Sequence, residues 1–157
     1  IKSIIKFYKE KYKKPIWLGG QSFGAARTFA YLSASSENSK LISGVILTGT
    51  AVGSHKNNVI KIPFRKIKDL NLPIGIFHHK KDVCHTSHYV TAKRVKEKLE
   101  KINLGKTEFI SIETGNLPKD TKCGGKGRNA RNHMFEDSRK ELGEKVISFI
   151  ETHNKKN

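Results

Sequence analysis

A short apolar run that stops in glycine and turns at once into a helix-like segment constrains this chain more than any other feature. It reads "PIWLGGQSFGAARTFAYLS", residues 15–33. Ile16 to Leu18 suit a short buried strand. Phe23 to about Ser33 is rich in Ala and aromatic residues, has no polar face, and suits a helix buried in a domain. Gly19, Gly20 and Gly24 lie too close together for one uninterrupted helix, and the stretch is too apolar for a loop. A strand that turns directly into a helix remains.

The rest of the chain repeats that alternation. Ile1, Ile4, Ile5, Tyr8 and Tyr12 recur at helical spacing, with Pro15 as a stop signal. Polar residues 34–40 read as a loop, and "SGVILT", Ser43 to Thr48, as a second strand. A polar connection over 51–71 leads to a third strand, "PIGIF", Pro73 to Phe77. Ala92, Val95, Leu99 and Ile102 mark an amphipathic helix that stops near Gly105, and Glu108 to Ile112 a fourth strand. After a Gly- and Lys-rich loop over 114–132, Leu142, Val146, Phe149 and Ile150 mark a last helix, with His153 near its frayed end. Strands alternating with helices predict an α/β domain over 1–157, a parallel sheet with helices on both faces. Strands covered on both faces are apolar throughout, as "VIL" and "IGIF" are. No repeat and no interdomain linker interrupts the pattern.

Composition narrows the class. With 157 residues and 36% hydrophobic content the chain can bury a real core. None of its apolar runs approaches the roughly 20 residues that span a bilayer. The formal charge of +17 raises the question of a nucleic-acid or anionic-surface partner. Its source is lysine scattered along the chain, without a basic stripe interleaved with stacking aromatics, so no nucleic acid is expected. Two cysteines, Cys84 and Cys123, are too few for a disulfide-held scaffold. The first residue is Ile1 rather than Met and no targeting segment is visible, which suggests a processed or truncated chain.

In open parallel sheets, function sits beyond the C-terminal ends of the strands. After the first strand comes Gly20-Gln21-Ser22-Phe23-Gly24, a G-x-S-x-G. That spacing suits a serine on a strained strand-to-helix turn, with small neighbours letting strand and helix approach. The Phe23 N–H at the helix start could then stabilise an oxyanion formed when Ser22 attacks a carbonyl. A serine hydroxyl needs a base, and the base an orienting acid. Asp82, just past the third strand, is the natural acid, with Glu113 in reserve and Asp120 a poorer third choice. Of the histidines beyond Asp82, His85 and His88 lie too near it in sequence and His153 sits in the terminal helix. His133, between the fourth strand and the last helix, can reach back to Ser22.

The stretch "HHKKDVCHTSH" also crowds His78, Asp82, Cys84, His85 and His88 together, a possible zinc ligand set. It lacks the paired spacing of structural zinc sites. Cys84 and Cys123 flank the acid and base along the chain. A bond between them would close about 40 residues, worth roughly 4 kcal/mol by chain entropy. Two unrelated buried thiols fit the sequence equally.

Together, Gly20-Gln21-Ser22-Phe23-Gly24, Asp82 after a strand and His133 before a last helix resemble the α/β-hydrolase superfamily. The resemblance covers the whole chain but only the C-terminal part of that fold, the four strands being similar to its fifth to eighth. It implies a serine hydrolase acting on an ester, thioester or related small-molecule acyl substrate, with Ser22, Asp82 and His133 catalytic and no dissociable cofactor. "HHKKDVCHTS" with a later Cys and His is similar, more narrowly, to bacterial exported or periplasmic members in which a disulfide joins the acid and histidine loops. That likeness implies a Cys84–Cys123 bond and an extracytoplasmic location. In this fold the second oxyanion N–H comes from a loop after the third strand, outside the matched part, and the strand carrying Trp17 pairs on both sides. The resemblance therefore implies that these residues alone are poorly active, with one edge of that strand bare. The alternatives are a basic binding module without catalysis, contacting nucleic acid or an anionic surface, and a zinc-dependent protein using the His78–His88 cluster.

Overall fold

The computed structural model describes residues 1–51, 67, 70–118 and 130–154. Four strands, β1 (Trp17–Gln21), β2 (Gly44–Thr48), β3 (Ile74–His79) and β4 (Thr107–Ile112), lie in the order β1-β2-β3-β4. All three pairings are parallel, with Leu18 opposite Val45, Leu47 opposite Ile76 and Phe77 opposite Ile110. The helices are α1 (Lys2–Tyr12), α2 (Phe23–Ala34), α3 (Tyr89–Glu100) and α4 (Arg139–Asn154). Each crossover returns the chain to the same end of the sheet, so every strand points its C-terminus toward one rim.

Side chains alternate across the sheet and divide the core in two. Val45, Leu47, Ile74 and Ile76 pack with Phe29 and Leu32 of α2, Val95 and Leu99 of α3 and Ile5 of α1. Ile46, Phe77 and Ile112 face the other way, against Phe149 of α4 and Phe135. Phe29 and Phe77 are fully buried, each worth roughly 2–3 kcal/mol of apolar transfer. Both faces are thus covered by helices, which is why β3 is buried at every position.

Three expectations change. Residues 34–40 are not an irregular loop: Ser36–Leu41 form a 3-10 helix whose cap, Ser35, accepts a hydrogen bond from the Glu37 N–H. The end of α4 is not frayed at His153, which is buried and bonds Glu108 Oε1 at 3.1 Å, while Asn154 accepts from the Trp17 indole N–H at 3.0 Å. On α1 only Ile5 is buried, and Ile1, Ile4, Tyr8 and Tyr12 are exposed.

Candidate active site

The turn between β1 and α2 is built as its glycine spacing suggests, with one change of role. A Cβ on Gly20 would lie 2.6 Å from the Gly24 carbonyl and 2.7 Å from Thr28 Oγ1, so glycine is required where strand and helix touch. A Cβ on Gly24 would meet nothing within 4 Å; its backbone makes the close approach while its own side is open. Ser22, between them, has φ 52° and ψ −119°, a conformation that L-residues rarely hold. Its N–H donates to Thr48 O at 3.0 Å, and its side chain makes no capping bond to α2. The Phe23 N–H opens the helix and has no acceptor among the described residues.

Two rim residues meet directly. Asp82, fully buried in the turn after β3, has Oδ2 2.8 Å from His133 Nδ1. Burial alone would push the Asp82 carboxyl up, but hydrogen bonds from His133 and His78 outweigh it and hold it far below the usual carboxylate range. Asp82 is therefore ionised and accepts only. Its other oxygen, Oδ1, takes the Cys84 N–H at 2.9 Å. His133 lies in a turn segment that Phe135 anchors in the second core cluster, and Phe135 itself adopts a left-handed φ of 53°. Asn132 Nδ2 ties the same segment to Pro118 O at 2.6 Å.

The His133 ring lies over the ends of β1 and β2, where Ser22 emerges. It rests on Gly49, where a Cβ would come within 3.1 Å of the ring's Cε1 and Nδ1. Gly49 directly follows Thr48, the acceptor of the Ser22 N–H. On the other side of Ser22, Gln21 Nε2 donates to His133 O at 3.4 Å. Among the described residues no hydrogen bond joins Ser22 Oγ to His133. Such contacts commonly close only when substrate is bound.

Other candidates lie apart. Glu113 pairs instead with Lys80 at 2.6 Å, both half-exposed. Asp120 and Cys123 fall outside the described residues. The five-residue zinc set does not gather. His85 is exposed, His88 Nδ1 caps α3 by accepting from Val90 N, and His78 Nε2 lies 2.5 Å from Ser87 O. The potential ligand atoms that do cluster among the described residues belong to Asp82, Cys84 and His133. Asp82 and His133 are engaged with each other, and Cys84 is not a free thiol. That donor set does not suit a metal ion.

Sequence reasoning missed Ser87. It is fully buried, with Oγ 2.9 Å from His133 Nδ1 and 3.1 Å from Asp82 Oδ2. The available signal was its place on the same post-β3 loop as Asp82. Gln21 and Gly49 were likewise unmarked, each lying one residue from a position already of interest.

No family model and no curated protein matches the chain. Solved structures do. A Coxiella burnetii α/β serine hydrolase homologue is similar over 94% of this chain and 55% of its own, at 17% identity and TM-score 0.58. A Paleococcus ferrophilus monoacylglycerol lipase matches 96% of this chain and 74% of its own, at 14% identity and TM-score 0.62. A thermophilic esterase from Thermogutta terrifontis covers 94% and 61%, at 16% identity and TM-score 0.54. The chain thus spans little more than half of the first of these. With its parallel sheet, helices on both faces and rim of strand ends, it has the α/β-hydrolase fold.

Proposed function

We propose that this chain carries the nucleophile, base and acid of a serine hydrolase that cleaves an ester, thioester or related acyl bond. One observation carries the reading: a histidine holding an ionised buried carboxylate at 2.8 Å, on the rim where a serine sits in a strained strand-to-helix turn. The described activities of the fold neighbours, a lipase and an esterase among them, belong to the same reaction class.

In this reading Ser22 Oγ attacks the substrate carbonyl carbon while His133 Nε2 takes its proton. The new C–O bond leaves a tetrahedral oxyanion, which the Phe23 N–H stabilises. As the bond to the leaving alcohol or thiol breaks, His133 returns the proton to it and an acyl-serine remains. Water then attacks the acyl carbon, giving a proton to His133, and collapse releases the acid and restores the Ser22 hydroxyl. Asp82 orients His133 and stabilises its cationic form. None of these steps needs a dissociable cofactor, and the partner is a small-molecule acyl compound.

A fluorophosphonate probe tests the reading on the full-length protein. Covalent labelling that disappears in Ser22→Ala is expected; a native protein that resists the probe overturns it.

Cys84, which is not a free thiol, pairs in this reading with Cys123, the only other cysteine in the sequence. The bond would tie the Asp82 loop to the segment leading to His133. It also favours an extracytoplasmic location, since such bonds persist in oxidising compartments. Alkylation without reduction, followed by mass measurement, should leave both cysteines unmodified. Two alkylated thiols would remove both the pairing and the argument for the compartment.

A further inference from the structure

The contacts around His133 Nδ1 exceed what an acid–base pair alone requires. Among the described residues two oxygens reach that nitrogen, Asp82 Oδ2 at 2.8 Å and Ser87 Oγ at 2.9 Å. The serine hydroxyl also lies 3.1 Å from Asp82 Oδ2, so carboxylate, hydroxyl and imidazole form a closed triangle. All of Ser87 is buried, and its contacts are thus shielded from water.

The proton positions in this triangle follow from chemistry. An ionised carboxylate can only accept, so the 2.8 Å contact requires a proton on Nδ1. Nδ1 with its proton cannot accept from Ser87, and the hydroxyl must direct its own hydrogen to Asp82. Its lone pair then faces the Nδ1–H as a second acceptor. A further histidine braces the arrangement. His78 Nε2 is 2.5 Å from the Ser87 carbonyl and 3.1 Å from Asp82 Oδ2, both acceptors, so Nε2 carries its proton. The other nitrogen of His78, Nδ1, is buried without a partner, as suits the nitrogen that holds no hydrogen. His78 is itself wedged between Tyr89 and Phe109, whose rings lie 6.1 and 6.3 Å from its own.

We propose that Ser87 is a positioning residue: by accepting from Nδ1–H while donating to Asp82, it fixes the orientation of the His133 ring against the carboxylate, with Nε2 carrying the lone pair. Its importance for turnover rests on the hydrolase reading above; its effect on the Nδ1–H bond does not. Without Ser87 the accept-only carboxylate still dictates the tautomer, but the Nδ1–H loses one acceptor and the ring can rotate off the carboxylate. The loss corresponds to one neutral hydrogen bond, about tenfold in rate.

The test combines ring-¹⁵N NMR with fluorophosphonate labelling on the full-length protein, its His133 signals assigned by their loss in His133→Gln. The wild type should show one Nδ1–H tautomer with a slowly exchanging proton. Ser87→Ala should keep that tautomer but speed the exchange and slow labelling about tenfold. Ser87→Thr, which keeps the hydroxyl, should restore both. A wild-type His133 protonated on Nε2 overturns the proposal without any variant, as does an unchanged exchange rate in Ser87→Ala. If the wild type does not label, the hydrolase reading fails while the exchange measurement still decides the role of Ser87.

Discussion

Asp82 is the residue on which the rim contacts converge: His133, His78, Ser87 and the Cys84 N–H all reach its carboxylate. Those donors hold it ionised despite full burial, and an ionised acid is what a histidine needs to become transiently cationic. Asp82→Asn keeps the shape but presents an amide that can offer N–H to His133, favouring the tautomer with its proton on Nε2. Turnover should fall by about 1,000- to 10,000-fold while KM changes little. Steady-state kinetics on a chromogenic ester measures it, and a loss below tenfold would remove Asp82 from its role. At this scale the sequence was legible where chemistry leaves a spacing. Gly20-Gln21-Ser22-Phe23-Gly24 marked a strained turn, and the order serine, acid, histidine marked Asp82 and His133. Ser87 was not legible, because a serine in "CHTSH" looks like any loop serine until folding places it between two other side chains.

Elements were legible where both faces of the sheet demand apolar residues. "VIL" and "IGIF" became β2 and β3 because neither side offers water, and the Ala-rich stretch after Ser22 became α2 because it packs on all sides. Less legible was the last helix, whose end looked frayed from its terminal position. Long-range bonds from His153 and Asn154 to β4 and β1 decide otherwise. The start of α4 is fixed in a similar way. Glu141 Oε2 accepts from the Glu113 and Thr114 N–H groups at 2.9 Å and from Thr114 Oγ1 at 2.7 Å, while Lys145 pairs with Oε1. Burial would raise its carboxyl, but Lys145 and these donors prevail and lower it to about 2. A carboxyl depressed by folding contributes stability above its unfolded value, lost as pH falls through its folded one. Glu141→Gln should therefore be less stable than wild type at pH 7. The gap between their urea midpoints should close between about pH 4.5 and pH 2. A gap independent of pH would mean that Glu141 acts through packing alone.

Across the whole molecule, the feature left unbalanced is the side of the sheet at β1. It is the terminal strand of the described sheet, with β2 on one side and no strand on the other among the described residues. The helices that precede and follow β1 in the chain expose apolar and aromatic groups: Ile4, Phe7, Tyr8 and Tyr12 on α1, and Phe23 at the start of α2. An open strand edge is a template for pairing with another chain, and exposed apolar groups favour association. The fold neighbours are longer than this chain, which spans 55% of the Coxiella homologue and 61% of the Thermogutta esterase. In the proposed mechanism the oxyanion also has one donor from this segment, the Phe23 N–H, where a hydrolase of this fold uses two. Removing one oxyanion donor costs on the order of 100-fold or more in rate. The 157 residues expressed alone should therefore self-associate with rising concentration in sedimentation velocity. Their esterase turnover should fall at least about 100-fold below that of a longer chain that includes a second donor. A monodisperse monomer with robust turnover would mean that the β1 edge needs no cover and that Phe23 suffices for the oxyanion.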